Sequence, residues 1–186
     1  MSEVISPPPI VDEDDASERK RGSAFGALAK FIEHAGPGER AALARLQPKA
    51  LQPHELAALS RALLAAGLQP EAWQPLTWPR WALIAQGMAL AGHNGQGRLG
   101  RQLADAGVSE SRVSKLLTSR GEAFRQLLPR VLRLMASKGV APNWFELAEL
   151  VLKEASPDRA DQMRAESLRL RIAGPYFSAL AQATKS

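Results

Sequence analysis

The sequence predicts an all-α protein with two packed helical lobes, each a helical bundle, preceded by a disordered N-terminal tail. From Ser23 onward, apolar residues recur at intervals of three and four, which is the spacing of one buried helix face. No segment has the sustained alternation of β-branched and aromatic residues that is typical of strands. The chain has 186 residues, 45% of them hydrophobic, which is enough for one sizeable core or for two small lobes.

The predicted tail is residues 1–22, and the N-terminal lobe is residues 23–92. The tail holds three consecutive prolines and a run of charges, so it buries too little apolar surface to offset the entropy of ordering. In the lobe, a first helix is expected to end at Gly36-Pro37-Gly38, and further helices are expected over 39–46, 53–66 and 79–91. The apolar side chains expected to point inward from the third helix are Leu56, Leu59, Leu63 and Leu64.

A glycine-rich linker at residues 92–97 separates this lobe from a C-terminal lobe, residues 98–186. The helices expected in the C-terminal lobe lie near 98–106, 109–118, 122–137, 143–154, 157–173 and 176–183. Pro129 should kink or restart its helix, because proline removes one backbone donor.

The segment GQGRLG at residues 95–100 has the G-x-G-x-x-G spacing of a dinucleotide-binding turn. Such a turn needs a strand before the glycines and a second strand that ends in an acidic residue. The preceding residues, WPRWALIAQGMALAGHN, have helical spacing instead. The glycines are therefore interpreted as a linker between helices.

Residues 98–118 also suggest a helix-turn-helix. Gly107 suits a left-handed turn, Val108 a buried turn position and Ser109 the cap of the next helix. The position four before Gly107 usually holds a small residue, whereas here it is Leu103. A DNA-binding transcriptional regulator that uses this segment therefore remains an alternative function.

The distribution of charge favours a polyanionic partner. The net charge is +5, yet residues 1–23 hold six acids and three bases, so the rest of the chain carries +8. Residues 98–138 alone hold nine bases and three acids, which indicates nucleic acid as the partner. A merely solvated basic face is the alternative reading.

The helical spacing places several of these bases on outward faces. Over 109–118, Val113, Leu116 and Leu117 define the inner face, and Arg112 and Lys115 share the opposite side. In the next helix, Arg125, Arg130 and Arg133 lie opposite the apolar stripe. Because few aromatic residues are interleaved with these bases, contact with the nucleic-acid backbone is expected rather than stacking on bases.

Other residues that could carry chemistry receive structural interpretations. The side chains assigned to the core are Trp73, Trp78, Trp81, Trp144, Met88, Met135 and Met163. His93 is expected to be simply a loop residue. The chain has no cysteine and its three histidines are far apart, so no metal site, no cofactor and no catalytic residue is predicted. No membrane span or signal peptide is recognised, which predicts a cytoplasmic protein. No G-x-S-x-G, H-E-x-x-H or P-loop motif is found, so the chain is not expected to be an enzyme.

Four segments together resemble the CasB family, the small subunit of the type I-E CRISPR complex called Cascade. They are GERAALARL at 38–46, LGRQLADAGVSESRVSKLL at 99–117, FRQLLPRVLRLM at 124–135 and the pair Asn143-Trp144. The resemblance implies a non-catalytic helical subunit, present as a pair within the complex and bound to other Cascade subunits. It also implies contacts with CRISPR guide RNA, with target DNA and with the displaced non-target strand, and no membrane or small-molecule substrate.

The resemblance implies nucleic-acid contacts at ten positions, which are Arg40, Arg45, Arg98, Arg101, Arg112, Lys115, Arg120, Arg125, Arg130 and Arg133. Arg101 lies four residues before Asp105, so an intrahelical ion pair is the competing reading for that side chain. A helical scaffold that binds only proteins is a further alternative for the whole chain.

Overall fold

A computed structural model describes the backbone of residues 13–184 and the side chains of residues 22–184. Within this range the elements are α1 (Glu13–His34), α2 (Pro37–Ala44), α3 (Pro53–Ala65), a 3-10 turn η1 (Pro70–Ala72), α4 (Thr77–Ala91), α5 (Leu99–Asp105), α6 (Glu110–Thr118), α7 (Gly121–Ser137), α8 (Trp144–Lys153) and α9 (Arg159–Ala183). The described residues contain no strand, and the all-α prediction is confirmed. Of the predicted tail, residues 1–12 lie outside the described residues, and α1 begins at Glu13.

Helix α4 lies at the centre of the fold. Its residues 81–89 are all buried. It packs against α1 and α2, which precede it in the sequence, and against α7 and α8, which follow it. An added Cβ at Gly87 would lie 2.3 Å from the ring of Trp144 and 2.8 Å from Leu132, so the helices approach closely there. The buried apolar residues of the two halves form one cluster. The boundary between lobes 23–92 and 98–186 stays a prediction.

Helix α3 corrects one part of the predicted core. Leu59 and Leu63 are fully buried, but Leu56 is 42% exposed and Leu64 is 56% exposed. The helix packs on α1 and α2 through the side that carries Ala58, Leu59 and Ala62. With 3.6 residues per turn, Leu64 falls on the side roughly opposite to that contact. Spacing alone did not show how narrow the buried stripe is.

The predicted break between residues 173 and 176 is wrong, because α9 continues through Pro175 to Ala183. Proline removes one hydrogen bond, but α5 packs tightly on α9 at this point. A Cβ at Gly100 would lie only 2.0 Å from the backbone oxygen of Ile172, and buried Tyr176 donates its hydroxyl to the Val108 carbonyl over 2.6 Å. These tertiary contacts hold the helix together. Helix α7 is likewise unbroken across Pro129.

The linker between α4 and α5 is fixed by hydrogen bonds from α5 and from the start of α8. Gln102 donates to the carbonyls of Asn94 and Gln96, over 3.1 and 3.0 Å. The Asn143 side chain donates to the Gly97 carbonyl over 2.8 Å, and the Trp144 indole donates to the Gly92 carbonyl over the same distance. The glycine motif therefore serves helix packing, as the linker interpretation predicted, and no described strand precedes it.

His93 makes specific contacts with α8, which the prediction of a simple loop residue did not include. Its Nδ1 accepts a hydrogen bond from the Trp144 backbone N–H at 3.2 Å, and its ring packs edge-on against Phe145. Burial lowers the pKa of His93, and a hydrogen bond with the Pro142 backbone opposes part of that shift. The neutral ring is thus the form that completes the first turn of α8.

The core assignments of the remaining aromatic and methionine residues are correct with one exception. Trp81, Trp144, Met88 and Met135 are buried, and Trp73 and Trp78 pack partly buried against the same core. Met163 is 66% exposed and was assigned to the core wrongly.

Candidate nucleic-acid interface

Helix α6 presents two adjacent bases to solvent because its other side is anchored in the core. Val113, Leu116 and Leu117 are buried, as the spacing predicted, and Arg112 and Lys115 are exposed. The helix follows a turn in which Gly107 has φ of 66°, a backbone conformation that favours glycine. The chain direction set by this turn places α6 against α7 and α9.

Helix α7 likewise has one side buried in the core and one side with basic residues exposed to solvent. Its buried residues are Phe124, Leu128, Val131, Leu132 and Met135. Arg130 and Arg133 are exposed, and Arg125 is partly buried. Both helices therefore turn arginine or lysine outward along neighbouring faces.

A groove of about 520 Å³ lies between these helices, and we call it the α6–α7 groove. The residues that line it are Ser111, Arg112, Lys115, Leu127, Arg130, Val131 and Leu134. Three cations thus surround a largely apolar floor. Among residues 22–184, no carboxylate lies within 4.0 Å of Arg112, Lys115 or Arg130, so their charges are directed to solvent.

A second groove, of about 430 Å³, lies between α7 and the loop at residues 46–50, and we call it the α7–loop groove. Its cations are Lys49, Arg125, Arg130 and Arg133, so Arg130 is common to both grooves. Glu122 lies in this second groove at 2.6 Å from Lys49 and 3.7 Å from Arg125. The hydrogen bond from Lys49 lowers the pKa of Glu122.

Sequence reasoning missed Lys49. It lies in a proline-flanked loop far from the basic segment 98–138, and no periodic pattern connects the two. Only the packing of the α2–α3 loop beside α7 brings it to the other bases.

Three of the predicted arginines lie outside both grooves and form ion pairs within the chain. Arg101 pairs with Asp105 at 2.9 Å within α5, which is the competing reading given above, and it also contacts Gln182. Arg98 lies 3.4 Å from the buried carboxylate of Glu146. Arg120 donates to both oxygens of Glu166, over 2.7 and 2.9 Å.

The two N-terminal arginines lie outside both grooves. Arg40 is exposed on the wall of a different cleft, together with Lys30, Glu33 and His34. Arg45, at the end of α2, is exposed and its Nε donates to the Ala41 carbonyl over 3.1 Å. Of the ten predicted positions, the structure therefore brings together Arg112, Lys115, Arg125, Arg130 and Arg133.

The geometry does not support the helix-turn-helix alternative. Helix α5 packs mainly on α9, and α6 packs on α7 and α9, so α5 and α6 do not form the close crossing of a helix-turn-helix. Leu103 is buried at the position where that motif needs a small side chain. None of the helices in residues 13–184 is long and apolar enough to span a membrane.

Comparison with known proteins identifies one family that matches most of the chain. The family described as CRISPR-associated protein Cse2 matches residues 39–177, which is about three quarters of the chain and includes all helices from α3 to α8. No curated protein and no solved structure matches the chain. On this match, the chain belongs to the Cse2 family, also called CasB, whose members are the small, non-catalytic structural subunit of type I-E CRISPR Cascade.

Proposed function

We propose that this Cascade subunit binds the sugar–phosphate backbone of nucleic acid without reading its sequence, and that the α6–α7 groove is the principal contact. One observation carries the proposal: Arg112, Lys115 and Arg130 surround one groove, and no described carboxylate within ion-pair distance neutralises them. Cations that already have partners gain little from a phosphate, whereas these exchange only water and counterions.

The lining of the groove favours contact with backbone rather than with base edges. Guanidinium groups hydrogen-bond phosphate oxygens in pairs, and two of the three cations are arginines. The described lining includes no aromatic ring on which a base would stack, although Leu127, Val131 and Leu134 supply an apolar floor. Such a surface discriminates little between sequences.

The other cations contribute to nucleic-acid binding to different extents in this proposal. Arg133 extends the surface along α7, and Arg125 and Lys49 add charge that Glu122 partly offsets. Arg98, Arg101 and Arg120 must give up an ion pair before they contact phosphate, so each adds less. Arg40 and Arg45 form a separate, weaker contribution from α2.

Within Cascade, this surface would contact CRISPR guide RNA and target DNA and would stabilise the R-loop, including the displaced strand. Other Cascade subunits and a second copy of the chain are the proposed protein partners, in the cytoplasm. The subunit would thus contribute to antiviral defence by holding strands in place, with no catalytic step of its own.

The test is to measure the affinity of the purified chain for single-stranded DNA of arbitrary sequence, for a duplex of the same sequence and for single-stranded RNA, across a range of salt. The variant is Arg112→Glu/Lys115→Glu/Arg130→Glu. We expect wild-type affinity to fall with salt with a slope of about −0.7 per phosphate contact on single strands, and the variant to lose most of its binding.

A matched control separates local contact from net charge. Lys30→Glu/Lys138→Glu also replaces exposed cations without a described carboxylate partner by acids, but on α1 and just after α7, where they line neither groove. It should retain clearly more affinity than the double variant Arg112→Glu/Lys115→Glu. Equal losses of affinity in both double variants would show that binding depends on net charge alone. Strong preference for one duplex would favour the regulator, and no binding at low salt would favour the protein-binding scaffold.

A further inference from the structure

A further cleft, of about 490 Å³, lies where the α6–α7 connection meets α9. It shares no lining residue with the two basic grooves. Its charged lining residues are Arg120, Arg159, Arg169, Glu154 and Glu166. Three guanidinium groups and two carboxylates thus meet at one place.

Two of the guanidinium groups converge on a single oxyanion. Arg120 Nη2 donates to both oxygens of Glu166 over 2.7 and 2.9 Å, and Arg169 Nη1 donates to one of them over 2.8 Å. Two oxygens of a phosphate group have nearly the same spacing and the same acceptor character as a carboxylate. The donors are therefore already arranged for a phosphate.

The two arginines differ in how much they need an anion. Arg169 is only 4% exposed, and its buried Nε has no acceptor, so Glu166 does not satisfy this guanidinium completely. The burial of Arg169 and the nearby charge of Arg120 lower the pKa of Arg169, and the charges of Glu166 and Glu154 oppose that shift. Loss of negative charge beside a buried guanidinium is unfavourable, so an anion at the position of Glu166 is favoured.

The anion that is present is open to exchange with a dissolved anion. The side chains of Glu166 and Arg120 are 56% and 44% exposed, so that pair contributes little to stability, whereas the pair of Glu166 with Arg169, which is 5% exposed, can be replaced only by another anion. Glu154, by contrast, is buried and accepts from the Gly121 backbone N–H over 2.9 Å, so it stays in place. For Arg159 at the edge of the cleft, no ion pair with a described carboxylate is formed.

We propose that this cleft is a phosphate-binding site, and that the carboxylate of Glu166 occupies it until a phosphate group takes its place. Arg120 and Arg169 hold the phosphate, and Arg159 adds a third cation at the entrance. The site rests on the function proposed above only for the source of the phosphate, which is the nucleic-acid backbone if the two sites act together.

The test uses the full chain and inorganic phosphate at low ionic strength, titrated by calorimetry. In Glu166→Gln the shape of the side chain is kept but the competing charge is lost, so phosphate affinity should rise about fivefold, the size of one exposed ion pair. Glu39→Gln is the control, because Glu39 also accepts from one arginine, Arg61, over 2.8 Å but lies on α2. Its phosphate affinity should equal that of the wild type.

A gain of affinity cannot arise from unfolding. Glu166→Gln is titrated at a temperature where circular dichroism shows it folded, so that the absence of a gain is equally decisive. If Glu166→Gln binds phosphate no more tightly than Glu39→Gln, the site does not exist. NMR signals of the arginine Nε–H groups should shift at Arg120 and Arg169 during the titration, and shifts confined to other arginines would equally contradict the proposal.

A second arm identifies the source of the phosphate. Glu166→Gln is combined with Arg112→Glu/Lys115→Glu/Arg130→Glu and titrated with single-stranded DNA. A parallel gain assigns the site to the nucleic-acid backbone, and a gain with inorganic phosphate alone assigns it to a free phosphate. If the α6–α7 groove itself does not bind DNA, the phosphate result remains valid.

Discussion

Replacing Gly100 by alanine should destabilise the protein, although alanine normally stabilises a helix. Gly100 lies in α5, and an added Cβ would lie 2.0 Å from the Ile172 oxygen and 2.8 Å from the Tyr176 nitrogen, both backbone atoms of α9. Backbone in the middle of a helix cannot move aside as a flexible side chain can. The two helices would have to separate along their contact.

The magnitude follows from two opposing effects. Alanine in place of glycine favours a helix by about 0.5–1 kcal/mol, and overpacking a tight contact costs about 1–3 kcal/mol or more. Because the clash is with backbone, we place the overpacking cost at the upper end and expect a net loss of about 2 kcal/mol. For a chain of this size, that loss lowers Tm by about 4–8 °C.

Circular dichroism at the helix band, followed through urea and thermal unfolding, measures the loss. Gly26→Ala is the control, since its added methyl group meets the Phe145 ring at an ordinary 3.9 Å and should be neutral or stabilising. If Gly100→Ala proves as stable as Gly26→Ala, the close approach of α5 and α9 is wrong. In that case the glycines at 95–100 would need another explanation.

Three further predictions concern single side chains. Burial lowers the pKa of His93 below 6.5, so its contribution to stability is complete above that pH and is lost as the pH falls below it. The free energy of unfolding should therefore decline less steeply between pH 7.5 and 5 in His93→Gln than in the wild type. Equal slopes would contradict the neutral ring that accepts from the Trp144 backbone N–H. Tyr176→Phe leaves a buried backbone carbonyl without its donor and should cost about 1–3 kcal/mol in urea unfolding, whereas a neutral effect would refute that hydrogen bond. Leu63→Ala should cost about 2–5 kcal/mol and Leu64→Ala less than about 0.5 kcal/mol. Comparable costs for the two variants would restore the wider buried face of α3 predicted from the sequence.

The helices and the exposed bases of α6 and α7 were predictable because both depend on local spacing. In α6, Val113, Leu116 and Leu117 together define one face, because they are one, three and four positions apart. Lys115 falls on the far side of the helix and Arg112 falls beside the buried face, whatever the rest of the chain does. Arg112, Lys115, Arg130 and Arg133 follow from that rule alone. The order of these segments was also enough to recognise the family.

What the sequence could not determine were features that depend on distant contacts. The continuity of α9 through Pro175 required the packing of Gly100, which lies far away in sequence, and the exposure of Leu64 depended on which side of α3 meets its neighbours. The same holds for His93, whose hydrogen bond comes from Trp144.

Local spacing likewise determined which bases face outward. The tertiary structure decided which of these bases have no carboxylate partner and so remain available to an anionic ligand. Arg101 finds its acid within its own helix, a pairing that the sequence alone allows. Arg98 pairs with Glu146, and Arg120 pairs with Glu166. These pairs form only because α8 and α9 pack against the segments that carry the two arginines. Side-chain direction is set by the helical repeat of the chain itself, whereas neutralisation of a charge requires an atom within about 4 Å, which residues distant in sequence reach only after the chain has packed.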